Sequence, residues 1–249
     1  MRLIVNPEYR SLKADLEKIG REFDRSGEMW VDGKRNTIKL FEVEGRILNV
    51  KSFQVPRFPN SIVYRHFRKS KAVRSYEFAN RLLQLGFLSP EPIACLEFYT
   101  PWKLKRSFYF SAQLEGVFPF MKLIHDSDFP DSVEILRQFT RFTHRLHEAN
   151  IWFIDHSPGN TLIKKDATGK YEFYLVDLNR MRFKSLSFQQ RMANFSRLSA
   201  SDEMLRTMSE EYAQLAGKSF EEVYREMSRA DQRFRDRKKR KKQWKKLFS

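Results

Sequence analysis

The chain has 249 residues, 41% hydrophobic and 14% aromatic with 23 phenylalanines, a composition that excludes full disorder and predicts one substantial core or a small lobe and a larger one. The 47 Lys and Arg outnumber the 31 Asp and Glu for a net charge of +16, which points to anionic partners such as lipid, nucleotide or nucleic acid. The single cysteine, Cys95, excludes an intrachain disulfide, the opening MRLIVNPEYR lacks a secretory apolar run, and no stretch reaches the roughly 18 to 20 apolar residues of a spanning helix, so a cytoplasmic protein is expected.

After a short opening helix the first half reads as strands. Met29-Trp30-Val31, Thr37 to Leu40 and Ile47 to Lys51 are separated by Asp32-Gly33 and Glu44-Gly45, which predicts consecutive hairpins. From Lys71 to Leu85, Val73, Tyr76, Ala79, Leu82 and Leu83 recur at spacings of three and four, and Gly86 follows, the pattern of an amphipathic helix with a glycine stop. Ile93 to Glu97 and Phe108 to Leu114 are two further strands flanking a basic loop, Lys103 to Arg106, so that five strands and a helix make the small lobe. A longer helix starts near Asp131-Ser132 and runs to Ala149 with Asn150 as its left-handed terminator. It leads into Ile151 to Asp155; residues 171 to 176 form another strand, and helical patterns dominate from Phe188 onward.

Asp155-His156-Ser157-Pro158-Gly159-Asn160, followed by Tyr174-Leu175-Val176-Asp177, places Asp, then Asn five positions later, then Asp at the end of an apolar strand. Phosphoryl transfer in protein kinases uses that arrangement: the first Asp orients and deprotonates a hydroxyl, and the Asn and second Asp offer hard oxygen ligands to Mg²⁺. Alone, the Asp-to-Asn spacing also suits an ordinary turn beside Pro-Gly. The order of features favours the chemical reading, because a strand lysine, Lys51, and a helix glutamate, Glu77, precede the long helix and the Asp loop. Lys51 would reach the α- and β-phosphates of ATP and Glu77 would hold its ammonium.

The run Leu146 to Ile163, with Leu175-Val176-Asp177-Leu178-Asn179-Arg180-Met181-Arg182-Phe183, resembles the bacterial lipopolysaccharide core sugar kinases, which include the Kdo and heptose kinases; the likeness spans roughly Gly27 to Phe195. The resemblance implies an α+β, bilobal protein-kinase-like fold, ATP and Mg²⁺ as cofactors, and a sugar hydroxyl as acceptor. It assigns Asp155 as catalytic base, Asn160 and Asp177 as metal ligands, Lys51 as phosphate contact and Glu77 as its partner, with Leu114, Glu115 and Gly116 at the adenine. Phe153 stands where ordinary protein kinases have the His of His-Arg-Asp, Leu178-Asn179 replaces their Phe-Gly, and no Gly-x-Gly-x-x-Gly loop is present. The turn Asp32 to Asn36 would cover the phosphates instead, through backbone N–H groups and Arg35. The missing Ala-Pro-Glu and activation segment favour a small-molecule or glycolipid acceptor over a protein.

The expected division is an N-lobe over 1–116, a C-lobe over 117–232 carrying the catalytic loop and metal site, and a basic amphipathic tail over 233–249. Residues 233 to 246 hold ten Lys or Arg against Asp236 alone. Trp244, Leu247 and Phe248 would share one helical side, as in an interfacial anchor on an anionic membrane. Arg65 to Lys71 form a second basic patch. Aromatic residues clustered at the end rather than spread along a groove argue against nucleic acid. The expectation is therefore a kinase of a lipopolysaccharide inner-core sugar, Kdo above others, bound peripherally to the inner face of the bacterial inner membrane. The alternatives are the same chemistry on a protein Ser/Thr or another small hydroxyl compound, and a non-catalytic scaffold of this fold binding membrane or RNA.

Overall fold

The computed structural model describes residues 1–33, 36–54, 68–126 and 128–247, with the backbone alone from 245. The chain divides into two compact units, Met1–Glu115 with Asp177–Asn179, and Gly116–Val176 with Arg180 onward.

The first unit is an antiparallel six-stranded sheet. In chain order its strands are β1 (Arg2–Val5), β2 (Glu28–Asp32), β3 (Asn36–Val43), β4 (Arg46–Phe53), β5 (Pro92–Tyr99) and β6 (Leu104–Ala112), arranged β1-β5-β6-β4-β3-β2. The sheet therefore has one strand more than expected, because β1 pairs with β5 from Arg2 opposite Glu97 to Val5 opposite Ala94. The basic stretch Leu104 to Arg106, expected as loop, begins β6 instead: Leu104 is buried and Lys105 exposed, the alternation of a strand. Between β3 and β4, Glu44 and Gly45 both take positive φ, 50° and 72°, as a two-residue hairpin matched to the strand twist requires.

Helix α1 (Lys13–Glu22) puts Leu16 and Ile19, and Phe23 beyond them, against Leu48, Val50, Ala94, Leu96, Phe108 and Phe110. Gly20 lets it lie close, since a Cβ there would meet Leu96 Cδ2 at 2.2 Å. Helix α2 (Lys71–Gln84) is capped by Ser70, whose hydroxyl accepts from Val73 N–H, and its Ala72, Val73 and Tyr76 pack with Phe53 and Cys95. Cys95 lies between Ala94 and Leu96, and Tyr109 between Phe108 and Phe110, so alternate residues of β5 and β6 serve the two helices. Both faces are covered, which explains the unbroken buried run from Pro92 to Glu97.

The second unit is mainly helical: α3 (Met121–His125), α4 (Ser132–Glu148), α5 (Phe188–Phe195), α6 (Asp202–Ala216) and α7 (Phe220–Leu247). Short strands β7 (Phe118–Pro119), β9 (Thr161–Lys165) and β10 (Tyr171–Leu175) form one sheet, and β8 (Ile151–Trp152) pairs with β11 (Arg182–Phe183). Phe139 of α4 is the centre of an aromatic core, with ring centroids 4.5 Å from Phe120, 5.6 Å from Phe173 and 5.1 Å from His156. Asn150 ends α4 at φ 57°, the left-handed conformation expected of it. Ser187 and Gln190 form a reciprocal capping box on α5. No break occurs at residue 233: the basic run continues a helix of 28 residues that begins at Phe220.

Candidate active site

The loop between β8 and β9 carries Asp155. Its carboxylate takes an ion pair from Arg197 Nη1 at 2.7 Å on Oδ1 and a longer one from Arg180 Nη1 at 3.7 Å on Oδ2. Its backbone carbonyl accepts from Ser157 N–H at 2.7 Å and from Asn160 Nδ2 at 2.8 Å. That second bond fixes the Asn160 amide and leaves Oδ1 as the atom that can meet a cation. Val176 N–H donates to the Asn160 carbonyl at 3.0 Å, tying the loop to the residue before Asp177. The structure thus brings Asp155 and Asn160 into one hydrogen-bonded turn.

Beneath the loop lies a chain of buried polar groups. His147 Nδ1 is 3.0 Å from the Tyr212 hydroxyl and Nε2 is 3.1 Å from Asn194 Oδ1, while Asn194 Nδ2 donates to the Phe153 carbonyl at 2.9 Å. Burial pushes His147 down to about 4, so the ring is neutral at pH 7. An amide oxygen only accepts, so Nε2 carries the proton and Nδ1 accepts from Tyr212. His156, beside Asp155, is enclosed by the rings of Phe139, Phe153 and Phe195, and burial holds it near 3. Among the described residues neither of its ring nitrogens has a partner, so it serves as a neutral packing group.

In the first unit Lys51 of β4 shares the sheet face of Phe53, its Nζ 5.4 Å from that ring's centroid. The ammonium meets Asp177 Oδ1 at 2.9 Å, with the side chains only 15% and 26% exposed, and Asn179 Nδ2 donates to the same oxygen at 2.6 Å. Asp177 has φ 57°, a left-handed conformation that an L-residue with a side chain adopts at a cost of about 1 to 3 kcal/mol. Strain of that kind collects where a side chain must be aimed. Glu77 does not meet Lys51: both its oxygens bind Lys69 Nζ, at 2.7 and 2.9 Å. The expected pair is absent because Asp177 already neutralises Lys51 and a nearer ammonium, at the entrance of α2, serves Glu77. Leu114, Glu115 and Gly116 follow β6 as coil, Gly116 at φ 66°, and Gln113 braces their start through Asn49 at 2.8 Å and the Leu114 carbonyl at 3.3 Å. Arg35, Arg65 to Phe67 and Phe248 lie outside the described residues.

Asn160 and Asp177 offer amide and carboxylate oxygens, hard donors of the kind Mg²⁺ takes in small number while phosphates and water complete its shell. Their chemistry fits that ion. No group of three or more His, Cys, Asp or Glu able to hold a metal occurs among the described residues, so a cage built from protein carboxylates is not on offer there. Sequence reading did not find Arg197, Asn179 or Asn194. Arg197 and Asn194 act through contacts that only the fold creates, Arg197 reaching Asp155 across 42 positions and Asn194 reaching Phe153 across 41, whereas Asn179 reaches Asp177 from two positions away, so the spacing Asp-x-Asn was the signal that could have found it.

The lipopolysaccharide kinase (Kdo/WaaP) family model matches residues 25–224. No curated protein matches the sequence. Among solved structures, WaaP in complex with acyl carrier protein is similar over 97% of this chain and 99% of its own, at 16% identity and a TM-score of 0.66. The MAP kinase LmaMPK10 from Leishmania major is similar over 87% of this chain and 65% of its own, at 16% identity and a TM-score of 0.50. The fold is therefore kinase-like, and with about four fifths of the sequence inside the family match, the chain belongs to the lipopolysaccharide kinase (Kdo/WaaP) family and is a phosphotransferase.

Proposed function

We propose that the enzyme transfers the γ-phosphate of ATP, with Mg²⁺, to a hydroxyl of Kdo in the lipopolysaccharide inner core. The observation that carries the reading is the Asp155 turn: a carboxylate anchored by its own backbone carbonyl to Asn160, at the loop where this chemistry needs a base. Asp155 orients the sugar hydroxyl and accepts its proton as the oxygen attacks in line. Arg197 and Arg180 hold that carboxylate in place through their ion pairs. Lys51 binds the phosphates, Asp177 is held by Lys51 and Asn179, and Asp177 and Asn160 would each offer an oxygen to the metal. Bound Mg²⁺ would neutralise charge on the phosphates. Leu114 to Gly116 are assigned to adenine and Arg35 to the phosphates. Glu77 is the partner of Lys51 in a nucleotide-bound state that exchanges Lys69 for Lys51.

A lipid-anchored acceptor agrees with a protein that works at a membrane surface. Among the described residues no helix is long and apolar enough to cross a membrane, and the cations of α7 supply attraction to the anionic inner leaflet. The test incubates purified protein with Mg²⁺, radiolabelled ATP and Kdo-bearing lipid A beside Asp155→Ala. Label should enter the glycolipid with the native protein and not with the variant, which should still bind ATP. Equal transfer by Asp155→Ala would remove the base assignment, and ATP turnover without glycolipid labelling would remove Kdo as acceptor.

A further inference from the structure

We propose that the groove between α5 and α7 is the seat of the acceptor's acidic sugars, so that part of the basic run reads the substrate rather than the membrane. The inference deepens the function above and rests on it for the identity of the acceptor. The groove has a volume of about 610 Å³, within the range of small-molecule sites. It lies wholly in the second unit. Arg197, Arg233, Arg237, Lys238 and Lys241 line it against one carboxylate, Glu226, which Arg229 already engages at 3.1 Å. Among the described residues no carboxylate pairs with Arg233, Arg237, Lys238 or Lys241. An unneutralised concave cluster of cations is built for an anion.

The lining is also aromatic. Phe234 has the guanidinium groups of Arg197 and Arg237 at 5.8 and 5.9 Å from its centroid, and Trp152 contributes a second ring, with Lys184 4.9 Å and Arg182 5.9 Å from its centroid. Sugar C–H faces pack on such rings while their carboxylate or phosphate groups meet the flanking cations. One residue joins the groove to the chemistry: Arg197 lines it and holds Asp155 Oδ1 at 2.7 Å. An acidic group bound at Arg197 would therefore leave a hydroxyl of the same or the next sugar beside the base. Enclosure argues against a bilayer as occupant, since a flat surface cannot enter a concave site.

The probe is a soluble, de-acylated Kdo-glucosamine phosphate oligosaccharide, which carries the acid groups without lipid. Its binding is measured by titration calorimetry on the full chain. Arg233→Gln with Arg237→Gln removes two lining cations at exposed positions, each worth about fivefold, so affinity should fall roughly 25-fold. Lys239→Gln with Lys242→Gln removes the same charge from the same helix outside the groove and should change affinity less than threefold. In turnover, the first pair should raise KM for Kdo-bearing lipid A while leaving kcat and KM for ATP unchanged. The Arg233 and Arg237 pair should lose less affinity for phosphatidylglycerol vesicles than the Lys239 and Lys242 pair, and the reverse order would overturn the assignment of the groove cations to the substrate. Equal loss of oligosaccharide binding by the two pairs, or no binding by the native protein, overturns the groove. Binding that depends on Arg233 and Arg237 without phosphate transfer keeps the groove and overturns Kdo as the phosphorylated sugar.

Discussion

Asn194→Ala tests whether the buried polar chain positions the Asp155 loop. The substitution removes two hydrogen bonds at once, His147 Nε2–H to Asn194 Oδ1 and Asn194 Nδ2–H to the Phe153 carbonyl. It leaves a donor and an acceptor in a region where His147 is fully buried and Phe153 1% exposed. Each stranded group costs about 1 to 3 kcal/mol, for a loss of ~2 to 6 kcal/mol, a large share of the ~5 to 15 kcal/mol that holds a protein folded. Urea unfolding followed by tryptophan fluorescence, analysed by linear extrapolation, gives the loss. Tyr212→Phe strands one buried group, His147 Nδ1, and gives up a partly exposed contact with Arg191, so it should cost about half as much, ~1 to 3 kcal/mol. Because Phe153 is two residues before Asp155, Asn194→Ala should also lower kcat more than it raises KM for ATP. A stability loss under ~1 kcal/mol, or one no larger than that of Tyr212→Phe, would refute the tethering role.

Acid should destabilise the protein well above the carboxylate range. Burial holds folded His147 near 4 and His156 near 3 against an ordinary value of 6.5, so the unfolded chain binds protons that the folded one refuses. Stability is then complete above pH 6.5 and falls by roughly 3 kcal/mol per pH unit down to about pH 4. Urea midpoints at pH 7, 6 and 5 measure this, and His156→Leu should halve the slope; a flat profile would mean that both rings reach water. Lys51→Met removes the ammonium from Asp177 and should lower kcat by at least about a hundredfold, at some cost in stability because the pair is largely buried, a cost that the bond from Asn179 to Asp177 limits. Near-native kcat in that variant would take Lys51 out of the reaction.

Local pattern was enough where one element decides its own shape. Helix α2 was legible from spacings of three and four and from Gly86, the β3–β4 turn from Glu44-Gly45, and the end of α4 from Asn150. Strand β1 was not, because four residues after Met1 become a strand only when β5, some ninety positions away, offers them an edge. Leu104 to Arg106 read as loop because three of four neighbouring residues are cations, yet in the strand Lys105 turns to solvent while Arg106, on the other face, lies half-buried over Phe23 and Phe108. The candidate site divides the same way. Asp155, Asn160 and Asp177 stand in a spaced motif, and Lys51 on a strand, so residue type and order are what nominate them, and the structure adds the contacts of Asn160 with Asp155 and of Lys51 with Asp177. The Lys51–Glu77 pair was an inference across elements, and the fold gave Lys51 to Asp177 and Glu77 to Lys69. Arg197 belongs to this second kind: nothing near it in sequence names Asp155 as its partner.

Because α7 is unbroken from Phe220 to Leu247, the direction in which each cation points is set by a register begun far upstream, where Val223 and Met227 are buried at 0% and 1% exposure. Successive residues turn by about 100°. Counted by composition, the eight cations from Arg233 to Lys242 are a single patch; sorted by helical phase they become separate populations, one on the groove and another turned away from it. Their charge can be exchanged along one stripe with little consequence, while a single inserted residue ahead of Arg233 would keep every charge and lose the stripe. For this helix, phase rather than net charge is the property that selection can act on.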